Sequence, residues 1–347
     1  MEDSANSITI SHFTTIGINS INEAKNYLRD ISNDKEPSQR VVSWLLALDL
    51  LKGDLNTWPK QFSNIYTTYK QRLNHYCPED TINSVEEISK NLESIIPRDL
   101  KRSIGVYEKS LQEIQLDSSL FSNYFFKFHR IFLIMSKESS DYQYIQGQDR
   151  YLYFIIIFVT QFFERLEISD QLWIESISSS IFQAFCEKIP YDKIVLDPSE
   201  MRDLFSRLSD FIAEKDPKLS KNVTIKPDQY ALNWFLSLFS EQHSNPESLV
   251  IFDHLLLHLE DLDEYMFSLS LAHLKQVGSV SFQNITNLLN KRIWDMKAIF
   301  SIADNLSSSE IVDSQNSKEK ICTVLLVALA SLSLFLICHG VYRYLKE

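Results

Sequence analysis

Asp99 and Arg102 stand three residues apart in Ile96-Pro97-Arg98-Asp99-Leu100-Lys101-Arg102, and Gln146 follows Tyr144 by two positions, just before a long apolar run. If the first stretch is a helical turn, the Asp99 carboxylate can hold the Arg102 guanidinium in one direction. The bland reading of such a pair is a surface ion bridge worth little to stability. The chemical reading is phosphoryl transfer to water. That reaction needs a fixed cation for the phosphates and a fixed amide for the water, and both can be supplied from outside the nucleotide site.

Other chemistries are poorly served. The six glycines (Gly17, Gly53, Gly105, Gly147, Gly278, Gly340) are scattered, whereas a loop that cradles phosphate needs them clustered so that backbone N–H groups can approach the anion. A nucleotide must therefore be held by something else. The four cysteines form no CxxC pair, which suits a reducing compartment. His254 and His258 have the i, i+4 spacing of a zinc site, but Leu255 stands where an HExxH motif has glutamate, and no third ligand is evident. No metal site is expected. Thirty-four basic against 46 acidic residues give a net charge of -12, so no nucleic acid is expected as partner.

The elements that must position these residues read as helices. Apolar spacing predicts a first helix over 16–31 and a second opened by Pro37 and stopped near Gly53, with Arg40 one turn from Trp44. Trp44 reads foremost as a core residue. Further helix is expected over 56–92, broken around Cys77-Pro78, and over Asp117 to Ser136, where His129 reads as a packed histidine. The run Tyr151 to Phe163 is too short to cross a bilayer comfortably and reads as a central buried helix with Gln146 near its positive end. Later helices are expected after Asp197-Pro198-Ser199-Glu200, over Tyr230 to Phe239, after Asn245-Pro246, over Asp263 to Ala272 and over about Ser281 to Phe300. No period-2 alternation appears. The expected class is all-α.

The polar, serine-rich stretch 301–320 reads as a tether, and Ile321 to Tyr342 is apolar and uncharged. About 22 residues at about 1.5 Å each span roughly 33 Å, enough for one bilayer crossing. With no apolar signal segment at the N-terminus, the expectation is a single C-terminal transmembrane helix inserted after synthesis, the body in the cytosol and a short lumenal tail over 343–347. Lys318 and Lys320 balance Arg343 and Lys346, so flanking charge does not orient the span.

Arg40-Val41-Val42-Ser43-Trp44, Asp99-Leu100-Lys101-Arg102, Tyr144-Ile145-Gln146-Gly147 and Trp234-Phe235-Leu236-Ser237-Leu238-Phe239 occur in the order and spacing of the TBC-domain family of Rab GTPase-activating proteins, and Ile251-Phe252-Asp253 is similar to a later segment of that family. The resemblance covers about 16–300. It implies a two-subdomain helical fold, with a polar segment over 1–15, a catalytic subdomain to about 165 and a C-terminal subdomain over 166–300.

By resemblance, Arg102 would be an arginine finger and Gln146 a glutamine finger, both inserted into the nucleotide site of a Rab-family small GTPase. Asp99 and Tyr144 would support them, and Gly147, Arg40 and Trp44 would bind the partner. The chain would carry no cofactor of its own and would not itself be a nucleotide hydrolase; GTP and Mg²⁺ would be held by the Rab. With a tail anchor the chain resembles the branch associated with the endoplasmic reticulum membrane, acting on Rabs of ER-to-Golgi vesicle traffic, although the span is also compatible with Golgi or mitochondrial outer membrane. Gln148-Asp149-Arg150 departs from the family pattern, with a polar Gln148 where packing is expected and a reversed charge at Arg150. That departure leaves a second reading open, an inactive TBC-like scaffold that binds a Rab or tethers membranes.

Overall fold

Helix signals in the sequence become helices through local caps. In the computed structural model, which describes residues 8–32, 35–77, 95–113, 121–138, 142, 144–145, 147–281, 288 and 293–306, Ser20 Oγ accepts Glu23 N–H and starts α2 (Ile21–Arg29). Glu36 does the same for Gln39 N–H at the head of α3 (Pro37–Ala47), where Pro37 takes the first turn. The expected helix over 16–31 is the shorter α2, and a separate helix precedes it. Gly17, at φ 81° and ψ 12°, turns left-handed and closes α1 (Ile10–Ile16). That short helix lies largely within the stretch expected to be a plain polar segment. It is held because Phe13 packs between Trp58 and Phe62 of α4 (Trp58–Tyr76), at 5.5 and 5.1 Å.

Three helices follow, α5 (Ile95–Glu113), α6 (Phe121–Glu138) and α7 (Gln148–Arg165); the first site motif lies on α5 and the second in the turn that leads into α7. The run expected to be a central helix is central. Buried residues occur all round α7, including Leu152, Phe154, Ile156, Val159 and Phe163, because it packs against α3, α5, α6, α8 (Gln171–Lys188) and α12 (Leu232–Ser237). Helix α8, which the sequence reading did not contain, fills the space between α4 and α7.

The remaining helices are α9 (Tyr191–Leu196), α10 (Pro198–Lys215), α11 (Pro217–Asn222), α13 (Asn245–Leu257), α14 (Leu262–Val277) and α15, over 296–306. Asp197 Oδ1 accepts Ser199 N–H at 2.7 Å and starts α10 as its sequence signature implies. Helix α12 is shorter than the expected 230–239: Leu238 and Phe239 both adopt positive φ, 47° and 62°, and end it. Among the described residues the class is all-α; extended pairing is confined to an isolated parallel bridge between Val223 and Val280. No helix among them is long and apolar enough to cross a membrane. The run 321–342, most of the tether, residues 78–94 of the expected second-to-third helical region, and Gln146 lie outside the described residues.

Candidate functional site

Helix α5 is amphipathic in the register that its chemistry needs. Ile96, Leu100 and Tyr107 are buried, and side chains three and four apart share a face. Asp99 lies at the edge of that face, 3% exposed, and pairs with Arg102 one turn on, whose side chain is 65% exposed. A buried carboxylate thus anchors a guanidinium that still projects into solvent. Such an anchor limits the directions the arginine samples without consuming all five of its N–H donors.

Arg102 borders a half-open, polar cavity of about 170 Å³ whose wall also contains Asp99, Gly147, Asp149, Arg150 and Glu241. The head of α7 and its preceding turn form the facing side. Gly147 is the N-cap of α7 at φ 109° and ψ -21°, a conformation that side-chain-bearing residues rarely adopt. Gln148, the departure from family pattern, is 2% exposed. Its carbonyl oxygen accepts from Tyr142 Oη at 2.9 Å and from Ile145 N–H at 3.3 Å, closing the turn on which Gln146 is borne in sequence. Arg150 donates from Nη2 to the Ser240 carbonyl at 2.9 Å. Tyr151 donates to the Leu236 carbonyl. The left-handed corner at Leu238 and Phe239 is therefore what presents these two carbonyls to α7, which explains why the Trp234 motif is near the site.

The group that ties the two halves of the site together is Asp149. Its carboxylate accepts Ser103 Oγ at 2.8 Å and Tyr107 Oη at 2.5 Å from α5, and Tyr144 Oη at 3.2 Å from the turn before α7. Burial, and then the Asp149 charge, push the Tyr107 and Tyr144 phenols well above their ordinary range, so both remain protonated donors. Tyr107 also stacks on Tyr153 at 4.1 Å, and Tyr144 meets Phe132 edge-on at 5.1 Å. Tyr144 thus acts as a buried brace, and Gln146 is flanked by braced residues on both sides. Asp149, Ser103 and Tyr107 were missed in sequence. The signal was present: Ser103 and Tyr107 follow Asp99 at i+4 and i+8 on one helix.

Two expected partner-binding residues are placed elsewhere. Arg40 and Trp44 are 2% and 1% exposed and converge on Asp253 of α13. Arg40 Nε donates to Asp253 Oδ2 at 3.2 Å and Trp44 Nε1 to Asp253 Oδ1 at 2.7 Å, with Lys35 Nζ adding a third contact at 2.9 Å. Buried in this junction, both side chains lock α3 to α13 rather than offering a surface to a partner protein. Neither expected zinc-spaced histidine is shared with the other: His254 meets Tyr265 Oη at 3.0 Å, and His258 meets Asp261 at 3.1 Å.

The comparisons with known proteins fit this arrangement. The model of the Rab-GTPase-TBC domain matches residues 38–279. Among solved structures, the chain is similar to the Ypt/Rab-GAP domain of Gyp1p, at 18% identity and a TM-score of 0.61, covering 87% of this chain and 98% of that one. At that identity the likeness speaks for the fold alone. Comparison with curated proteins returned no match. A family model that spans well over half of the sequence, on a helical fold with Asp99, Arg102 and Gly147 on the wall of one cavity, settles the assignment: the chain belongs to the Rab-GTPase-TBC domain family.

Proposed function

We propose that this protein accelerates GTP hydrolysis by a Rab-family GTPase, supplying Arg102 and Gln146 in trans. The observation that carries the reading is an exposed guanidinium held by a buried carboxylate at the rim of a cavity that Gly147 also lines. Arg102 would neutralise charge that develops on the transferred phosphoryl group, a contribution of about 10³–10⁵ in rate, or about 4–7 kcal/mol. Gln146 would orient the attacking water. Asp149 would hold the arginine-bearing helix and the glutamine-bearing turn in register through Ser103, Tyr107 and Tyr144. GTP and Mg²⁺ belong to the Rab in this scheme, which is how a chain with scattered glycines takes part in nucleotide chemistry.

Gln148 and Arg150, the departures that motivate an inactive scaffold, each have a structural use in bracing the head of α7. The activating reading is therefore preferred. Single-turnover GTP hydrolysis by a panel of Rab proteins, with the full chain added in excess, tests it. At least one Rab should be accelerated a thousandfold or more; binding to GTP-loaded Rabs without acceleration of any would contradict the proposal.

The membrane part of the reading rests on sequence. The uncharged run 321–342 would anchor the chain in the endoplasmic reticulum membrane with its body in the cytosol, where a Rab of ER-to-Golgi traffic would be met. The full chain should resist alkaline extraction from membranes and a chain lacking 321–342 should be released. Coincidence of the tagged full chain with Golgi or mitochondrial markers would overturn the placement.

A further inference from the structure

A second cavity, also about 170 Å³ and sharing no lining residue with the first, lies between α3, α7 and α13. Its walls are apolar, from Phe154, Ile157 and Phe158 of α7 and Leu249 of α13; one end is basic, from Lys35 and Arg40.

The charges at that end do not balance. Asp253 is the carboxylate that receives both Lys35 and Arg40, and its other oxygen is taken by Trp44. Two cations against one anion leave an excess of one positive charge in a buried place. Nearby acids are engaged elsewhere: Asp30, whose charge also acts on Lys35, is held by Ser32, Glu36 pairs with Arg165 at 3.0 Å and caps α3, and Glu247 caps α13 and faces His243. Lys35 directs its remaining polar contact to the Leu28 carbonyl at 3.1 Å. Arg40, only 2% exposed, has its Nη2 without a hydrogen-bond partner. Across the cavity Gln161 has a buried amide oxygen in the same condition, and its amide can turn to offer N–H instead.

An unmatched buried cation and an orphaned guanidinium nitrogen are costly unless something pairs with them. We propose that this cavity binds a small organic monocarboxylate with an apolar body, its carboxylate on Arg40 Nη2 and the Gln161 amide, its body against Phe154, Phe158 and Leu249. One negative charge matches the excess of one, and the aromatic walls select an apolar body over a bare inorganic anion. The site is separate from the Arg102 cavity and independent of whether the chain activates a Rab.

Calorimetric titration of the purified full chain tests this with three probes: hydrocinnamate, its neutral amide hydrocinnamide, and inorganic phosphate. Hydrocinnamate should bind one to one, and the amide and phosphate at least tenfold more weakly. Leu249→Trp, which fills the cavity, and Gln161→Glu, which keeps the shape and adds a like charge, should each weaken hydrocinnamate at least tenfold, with far-UV circular dichroism unchanged for Gln161→Glu. No binding of hydrocinnamate, equal binding of acid and amide, phosphate as tight as hydrocinnamate, or unchanged affinity in a folded Gln161→Glu chain would each overturn it.

Discussion

At the scale of single residues, the site depends on an asymmetry of burial. Asp99 is inside and Arg102 outside, so the pair has more direction than an ordinary surface bridge while the cation stays available. Arg102→Lys keeps the charge but loses the planar fork, and is expected to retain little of the activation. Asp149 is a positioning residue in the same scheme. Asp149→Ala strands the hydroxyls of two buried tyrosines and of half-buried Ser103 and should lower stability by roughly 1–3 kcal/mol in urea unfolding, the cost of a buried donor left without its acceptor. Asp149→Asn keeps one acceptor oxygen and should retain most of that stability. A further split separates positioning from mere support: if Asp149 positions the site, Asp149→Asn should lower the single-turnover rate at saturation more than it lowers affinity for the GTP-loaded Rab.

At the scale of elements, the junction of α3 with α13 is a buried ion cluster with one anion at its centre. Asp253→Ala leaves Lys35 and Arg40 buried without their counter-charge, and breaking such a cluster costs roughly 3–5 kcal/mol; denaturant midpoints read this directly. Gly147→Ala forces a Cβ into φ 109° and should cost roughly 1–2 kcal/mol. These elements also show where sequence was a sufficient guide. Asp99 and Arg102 at i, i+3, the cap at Asp197 and the buried run of α7 are local patterns, and local patterns are legible. Helix α8 was not legible, because Ser176, Ser178, Ser179 and Glu175 are buried in it and erase the polar face that marks an amphipathic helix. Glu175 is tolerated there since Tyr69 and Arg130 donate to it from α4 and α6. Trp44 reads as a core residue from sequence, but the burial of Arg40 and the Asp253 carboxylate that both residues meet were hidden, because Asp253 lies more than two hundred positions away in the chain. Asp149 was quoted as part of a departure from pattern, and only the packing of α5 against α7 gives it Ser103 and Tyr107 as donors beside Tyr144 of the preceding turn.

At the scale of the whole molecule, stability is expected to respond to pH through histidines packed among the C-terminal helices. His273 is fully buried, with His243 Nε2 at 2.8 Å and the Leu269 carbonyl at 2.7 Å. Burial, and next the neighbouring His243, hold its pKa well below the ordinary histidine value. The unfolded chain therefore binds a proton near pH 6.5 that the folded chain refuses, so the stability this site contributes is complete above about pH 6.5 and lost as pH falls below it. Half-buried His258 has the same sign. Glu247, whose pKa is lowered first by its hydrogen bond with His243, stays ionised through that window. The midpoint of thermal unfolding should fall between about pH 7 and about pH 5.5, and His273→Gln should flatten that slope. The central claim remains that the fold exists to carry a cation to another protein's phosphates. Its most direct test is the single-turnover hydrolysis rate of the most responsive Rab, measured with the full chain and with Arg102→Ala at concentrations where both bind. The account predicts a loss of about 10³–10⁵ in rate with GTP-dependent binding preserved; a rate within a few-fold of the unaltered chain would contradict it.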